Sequence, residues 1–136
     1  MDARSWGLAI MVCALACAPQ RDGSDQKSIQ EGRTYTAWLY GSQYNKLWDR
    51  FSPEMRQTFG SVADLASFAS RAVKNLGVEQ GQVDEQVNSA EPYKVYSRSA
   101  LFNKSRHRML IEWSLAKDGA VTGLVVRPVV GDSIRN

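Results

Sequence analysis

From residue 27 to about residue 76, apolar residues recur at helical spacing. This period predicts helices over residues 27–40 and 44–51, the second with apolar side chains at i, i+3, i+4 and i+7. Ser52-Pro53 predicts the start of a short third helix, because serine caps helices and proline is tolerated at their first position. A fourth helix is predicted over 62–76, because Ser61 and Asp64 have the spacing of a capping box. Its alanine-rich stripe indicates close packing against the aromatic side chains of 34–60.

After Gly77 the period of the pattern changes from helical to alternating. Strands are predicted over about 79–89, 93–102, 108–116 and 121–128, with a hairpin turn at Lys117-Asp118-Gly119-Ala120. The last two strands are apolar on both faces, which predicts places in the middle of the sheet with one face beneath helices. Helices followed by about four consecutive strands predict an α+β domain with an antiparallel sheet curved around the helices.

The first residues have a different character. An uncharged apolar run over 7–18 is too short to span a bilayer but suits a signal peptide, which we place at 1–16. Ala14-Leu15-Ala16-Cys17 resembles a bacterial lipobox, and the resemblance implies acylation of Cys17 and attachment to a membrane. The alternative is an ordinary secretory signal, cut after Ala16 or Ala18. Either way the protein is predicted to be exported, as a lipoprotein or as a soluble periplasmic or extracellular protein, with a flexible tether over 17–26.

Length, charge and cysteine content limit the class of domain. The 136 residues support one folded domain, which we place at 27–130, with a frayed tail at 131–136. Seventeen Lys and Arg against fourteen Asp and Glu give a net charge of only +3, which argues against a nucleic-acid partner. Both cysteines precede residue 20, so the predicted domain contains neither a disulfide nor a cysteine-ligated metal.

No catalytic or metal-binding constellation is evident. His107 is the only histidine, and its arginine neighbours favour a solvated side chain over a member of a catalytic triad. We therefore predict no metal and no cofactor. One local basic cluster has two interpretations, as a contact patch for anionic lipid or an acidic partner, or as charges that keep a hairpin tip soluble. It consists of Arg98, Lys104, Arg106 and Arg108.

The aromatic side chains of 34–60 are candidates for lining an apolar ligand pocket, although residues at this spacing also commonly fill a core. Glu112 interrupts an apolar strand and is a candidate cavity carboxylate if it faces inward. The predicted pocket comprises Tyr35, Trp38, Tyr44, Trp48, Glu112 and Trp113, with Tyr40 and Phe51 as further candidates.

The order of helices and strands is similar to that of the nuclear-transport-factor-2-like (cystatin-like) superfamily, in which a bent antiparallel sheet wraps a long helix to form a cone. The run TAWLY…LWDRFSPEMRQTFG, continued by Val95-Tyr96-Ser97-Arg98, Trp113-Ser114-Leu115 and Val126-Arg127-Pro128, resembles the domain of unknown function 3887 family. Members of that bacterial family often precede an α/β-hydrolase or peptidase domain. The resemblance covers about residues 30–128 and brings no established catalytic residues with it.

These patterns together predict an exported, lipid-anchored, non-enzymatic domain that binds a small apolar ligand or a protein partner of the cell envelope. One alternative is an enzyme of the ketosteroid-isomerase type with Glu112 as its base. Another is a stand-alone version of a hydrolase-associated accessory domain. The sequence does not specify an oligomeric state.

Overall fold

Four helices precede four strands in the computed structural model, which describes residues 22–129. The predicted α+β class is confirmed. The helices are α1 (Gly23–Tyr40), α2 (Tyr44–Asp49), α3 (Pro53–Phe59) and α4 (Val62–Leu76), and the strands are β1 (Glu79–Ala90), β2 (Tyr93–Phe102), β3 (Met109–Leu115) and β4 (Val121–Pro128). The predicted signal peptide, Cys17 and the predicted tail at 131–136 lie outside the described residues. Within 22–129, no helix is long and apolar enough to cross a membrane.

Side-chain caps explain where α1, α3 and α4 begin. The hydroxyls of Ser52 and Ser61 accept hydrogen bonds from the backbone N–H groups of Met55 and Asp64, at 3.2 and 3.1 Å, as the sequence predicted. α1 begins at Gly23, not at residue 27, because the carboxylate of Asp22 caps it. The last residues of the predicted tether are therefore helical.

The sheet is an antiparallel meander in the order β1-β2-β3-β4. β4 is consequently an edge strand, and the prediction of a central position for it is wrong. Its apolar start is nevertheless paired, because Val121 N–H donates to the carbonyl of Arg50 at 2.7 Å and Val121 O accepts from Ser52 N–H at 2.9 Å. α3 also contacts β4. The chain between α2 and α3 thus protects an edge that would otherwise be open to other strands.

α1 lies directly on the inner face of the sheet. A Cβ atom at Gly32 would lie 2.1 Å from Cδ1 of Tyr96, whose side chain is fully buried, so only glycine permits this close approach. Around this contact the core combines side chains of α1, α2 and α4 with alternate residues of the strands, including Leu39, Leu47, Leu65, Ala69, Ile111 and Leu115. The opposite face of the sheet is partly solvated, as expected for an antiparallel sheet covered on one side.

Candidate ligand-binding site

Trp113 belongs to the core. Its side chain is fully buried, its Nε1–H donates to Oγ1 of Thr36 at 3.0 Å, and its ring meets the ring of Tyr35 edge to face at 5.8 Å. The Thr36 hydroxyl donates in turn to the carbonyl of Gly32 at 2.7 Å. Every polar atom of this contact is paired and the ring is fully buried. Trp113 is therefore a core residue packed between α1 and the sheet.

Glu112 lies on the other face of the sheet, because side chains alternate along β3 and Trp113 points toward the helices. One carboxylate oxygen of Glu112 accepts a hydrogen bond from the hydroxyl of Ser97 at 3.2 Å, and the other lies 3.7 Å from Nη2 of Arg127. The expectation of an inward-facing cavity carboxylate is therefore wrong. Glu112 is part of a partly solvated ion pair.

Tyr44 and Trp48 make contacts within the helical layer. The hydroxyl of Tyr44 lies 3.3 Å from Oγ of Ser42 and 3.4 Å from Oγ of Ser70. The ring of Trp48 packs against Phe51 at 5.8 Å, and the guanidinium of Arg56 lies 5.9 Å from its centroid. These contacts join α2 to its neighbouring helices and do not bring Tyr44 and Trp48 to the cavity described next.

Tyr35 and Trp38 do share a cavity, and their role in a ligand pocket stays a prediction. Their ring centroids are 5.7 Å apart, and they line a space of about 370 Å³ on one flank of α1. Tyr35 is buried, whereas Trp38 is only partly buried and has one surface toward this space. The other lining residues are polar: Lys27, Gln30, Glu31, Thr34 and Arg50.

Arg50 is the functional candidate that the sequence interpretation missed. Its Nε–H donates to Oη of Tyr35 at 3.0 Å and its Nη2 to the carbonyl of Asp118 at 2.8 Å, while the Tyr35 hydroxyl donates to the carbonyl of Gly119 at 2.6 Å. Burial raises the pKa of Tyr35 although Arg50 opposes the change, and the bond to Tyr35 raises the pKa of Arg50. A neutral phenol and a fixed cation therefore stand together at neutral pH.

The backbone of the turn between β3 and β4 holds three residues that line this cavity, through hydrogen bonds to its carbonyls. Gly119 has φ +82, and a Cβ there would lie 2.3 Å from Oε1 of Glu31 and 2.7 Å from Nη2 of Arg50. Nζ of Lys27 donates to the carbonyl of Lys117 at 3.2 Å and lies 3.6 Å from Glu31. The predicted hairpin turn is thus confirmed, and its backbone supplies carbonyls that position the cations.

A second cavity, of about 350 Å³, adjoins the first at the N-terminal end of α1 and shares Lys27 and Glu31 with it. The two cavities together form what we call the α1 groove. The second cavity is lined by residues of α1, of the β1–β2 turn and of the end of β3, including Ser24, Ser28, Tyr93, Lys94 and Leu115.

Two of the four cations of the predicted basic cluster are paired with acids. Arg98 donates to both carboxylate oxygens of Glu79, at 3.2 and 2.5 Å, and Arg108 donates to Asp84 at 2.7 Å and to Ser99. Pairing of β1 with β2 brings these acids beside the arginines, so the charges of Arg98 and Arg108 are compensated and the contact patch stays a prediction. The β2–β3 turn keeps two exposed cations of the four, Lys104 and Arg106.

The other flank of α1 carries a charge network that sequence periodicity did not reveal. Nε and Nη2 of Arg33 each donate to Glu85 at 2.8 Å, and the hydroxyl of Tyr96 donates to the same carboxylate at 2.6 Å. Nη1 of Arg98 lies 3.5 Å from Oη of Tyr96 and 3.7 Å from Glu85. The Glu79–Arg98 pair is thereby joined to the Glu85–Arg33 pair.

These contacts set the charge states of the network. The bonds from Arg33 lower the pKa of Glu85 to about 2, despite partial burial, and the bond from Tyr96 adds to the effect. Burial raises the pKa of Tyr96 to about 12, with a further contribution from Glu85. Burial works against the charge of Arg98, but its hydrogen bonds to Glu79 and Tyr96 outweigh burial and raise its pKa. At neutral pH the network therefore holds two cations and two anions.

Comparison with protein-family models, curated proteins and solved structures finds no match to this chain. The family resemblance and the cone therefore stay predictions. In the part of the chain that the structure describes, no three His, Cys, Asp or Glu side chains cluster as metal ligands would.

Proposed function

We propose that this protein is a non-catalytic binding domain, built as a nuclear-transport-factor-2-like cone, whose ligand occupies the α1 groove. The observation that carries the proposal is the placement of Arg50 in the same cavity as Tyr35 and the partly buried Trp38. Nη1 of Arg50 has no hydrogen-bond partner among the described residues, whereas Nε and Nη2 are held by Tyr35 and the carbonyl of Asp118. The guanidinium is fixed and retains donors for a ligand.

The chemistry of this cavity favours an amphipathic ligand over a purely apolar one. Trp38 offers an aromatic surface, and its neighbours Lys27 and Arg50 outnumber the single acid Glu31. A planar apolar molecule with a carboxylate fits both features, because guanidinium groups bind carboxylates through paired hydrogen bonds. A molecule of this kind would pack its ring on Trp38 and direct its carboxylate to Arg50.

The enzyme alternative lacks a supporting geometry. The base in that alternative is Glu112, which lies on the face of the sheet away from the helices and is paired with Ser97 and Arg127. Export, the lipid anchor at Cys17 and a protein partner in the envelope remain part of the proposal on the strength of the sequence pattern alone. A stand-alone hydrolase-accessory role rests only on the family resemblance.

Titration with 2-naphthoate tests the proposal. We expect saturable binding by calorimetry, with amide chemical-shift changes at Trp38 and Gly119. Arg50→Gln should weaken binding about tenfold or more, the effect of losing charge-assisted hydrogen bonds. Arg56→Gln is the matched control, since Arg56 is an exposed arginine beside Trp48 and outside the groove.

Trp38→Leu provides a second variant that leaves Arg50 and its hydrogen bonds in place. It should also weaken 2-naphthoate binding while near-ultraviolet circular dichroism confirms the fold. Binding that is unchanged in both Arg50→Gln and Trp38→Leu, or absent in the parent protein, would refute the proposed site.

A further inference from the structure

Glu31 is the single acid among the residues that line the cavity of Trp38 and Arg50. Its side chain is 20% exposed, and the nearest cation, Nζ of Lys27, lies 3.6 Å away, too far for a hydrogen bond. Among the described residues Glu31 accepts no side-chain hydrogen bond, although a carboxylate can accept about four. The acceptors of a partly buried carboxylate are therefore available to a donor on a ligand.

The free polar atoms of Glu31 and Arg50 are open to solvent. In the described part of the chain, the hydroxyl of Tyr40 is the only buried side-chain oxygen or nitrogen that lacks a hydrogen-bond partner. The oxygens of Glu31 and Nη1 of Arg50 also lack a partner there, so they are not buried. Both side chains line the same cavity, of about 370 Å³, and a ligand in it can reach them.

The two opposite charges lie close together at the turn between β3 and β4. A Cβ atom at Gly119 would lie 2.3 Å from Oε1 of Glu31 and 2.7 Å from Nη2 of Arg50, so these two atoms are no more than about 5 Å apart. In the described chain they nevertheless form no ion pair with each other, because Arg50 is held by Tyr35 and the carbonyl of Asp118. Each charge keeps hydrogen-bonding capacity for a third group.

This arrangement discriminates between acids. A simple carboxylate bound to Arg50 would lie near the carboxylate of Glu31, and two like charges at this separation repel. An ammonium group beside the ligand carboxylate removes the conflict, because it can donate to Glu31 while the carboxylate accepts from Arg50. Lys27 opposes the ammonium only weakly, since its side chain is 56% exposed and solvent screens its charge.

We propose that the ligand of the α1 groove is an aromatic α-amino acid, whose ring packs on Trp38, whose carboxylate accepts from Arg50 and whose ammonium donates to Glu31. The two charged groups of such a molecule are attached to one carbon, which suits two protein charges so close together. This inference rests on the proposed function, because it uses the same cavity and the same role of Arg50. It adds Glu31 as the residue that determines specificity.

Two probes that differ only in the ammonium group test the inference: 3-(2-naphthyl)-L-alanine and 3-(2-naphthyl)propanoate. Each is titrated into the full chain at pH 7 by calorimetry, and amide chemical-shift changes at Gly119 locate the binding. We expect the amino acid to bind about threefold to tenfold more tightly, the effect of one charge-assisted hydrogen bond in a partly solvated site.

Glu31→Gln tests the assigned role of the carboxylate. It should remove the preference for the amino acid, and it should leave the affinity for the propanoate unchanged or higher because a like charge is lost. Glu54→Gln is the matched control, since Glu54 is an exposed glutamate of α3 outside the groove, and it should keep the preference.

The outcomes separate this inference from the proposed function. If the propanoate binds and depends on Arg50, but the amino acid binds no more tightly, the zwitterionic ligand is wrong and the proposed function stands. A preference that persists in Glu31→Gln also overturns the inference, because the ammonium is then recognised elsewhere. Failure of both probes to bind the parent protein overturns the proposed function and this inference together.

Discussion

Glu85 offers the sharpest test of the electrostatic reasoning, through the substitution Glu85→Gln. Its carboxylate accepts two hydrogen bonds from Arg33 and one from Tyr96, and its side chain is 20% exposed. These contacts lower its pKa from 4.5 to about 2. At about 1.4 kcal/mol per pKa unit, this corresponds to at most about 3 kcal/mol of folding free energy at neutral pH.

The pH dependence of this contribution has a definite sign. Above pH 4.5, Glu85 is ionised in both the folded and the unfolded chain, and its full contribution to stability is present. As pH falls below 4.5, the unfolded chain takes up the proton first, so stability declines and the contribution is lost near pH 2. Glu85→Gln should therefore lower the free energy of unfolding at pH 7 by up to about 3 kcal/mol, and the difference should vanish toward pH 2.

Urea denaturation followed by circular dichroism at several pH values between 7 and 2.5 measures both quantities. Glu112→Gln is the matched control, because Glu112 is also a strand glutamate but has a looser ion pair, 3.7 Å from Arg127. We expect the control to change stability by less than about 1 kcal/mol. If Glu85→Gln retains the same acid dependence as the parent, the assigned role of the Arg33–Glu85–Tyr96 contacts is wrong.

Two further substitutions test the packing and the anchor. Gly32→Ala should destabilise the protein by about 1–3 kcal/mol or more in thermal melts, because the new Cβ would lie 2.1 Å from the ring of Tyr96 and this outweighs alanine's better helix propensity. Gly23→Ala meets nothing within 4 Å and should be neutral, so an equal effect of the two would contradict the close approach. Cys17→Ala should abolish metabolic labelling by a fatty acid whereas Cys13→Ala should not, and persistent labelling without Cys17 would rule out the lipid anchor.

Sequence patterns predicted the elements well because their signals are local. The Ser52-Pro53 start and the Ser61–Asp64 cap each depend on residues within one helical turn, and the structure shows both. The predicted start of α1, at residue 27, is wrong because the helix is capped by Asp22. That residue lies in a polar stretch in which no apolar period marks a helix. A single capping side chain is a weaker signal in the sequence than an apolar pattern that repeats at every helical turn.

Contacts distant in the sequence set the limit of prediction. The basic cluster was inferred because Arg98 and Arg108 are close in the chain, yet each is neutralised by an acid of β1. Likewise Arg33 and Glu85 are 52 residues apart, and no local pattern pairs them. A cluster of cations predicted from one hairpin does not establish a net positive surface, because acids of the neighbouring strand can pair with it.

The aromatic stretch shows why residue type alone does not separate core from site. Trp113 and Trp38 are both near Tyr35, at 5.8 and 5.7 Å, yet only Trp113 is fully buried with its N–H satisfied by Thr36. Trp38 follows Tyr35 by one helical turn and lies on the flank of α1 that the sheet does not cover. There Trp38 lines a cavity together with Arg50. Because α1 presses on the sheet along a narrow line at Gly32, side chains on that line fill the core and those on its flanks line cavities. Position around α1, more than hydrophobicity, decides which aromatic residues can meet a ligand.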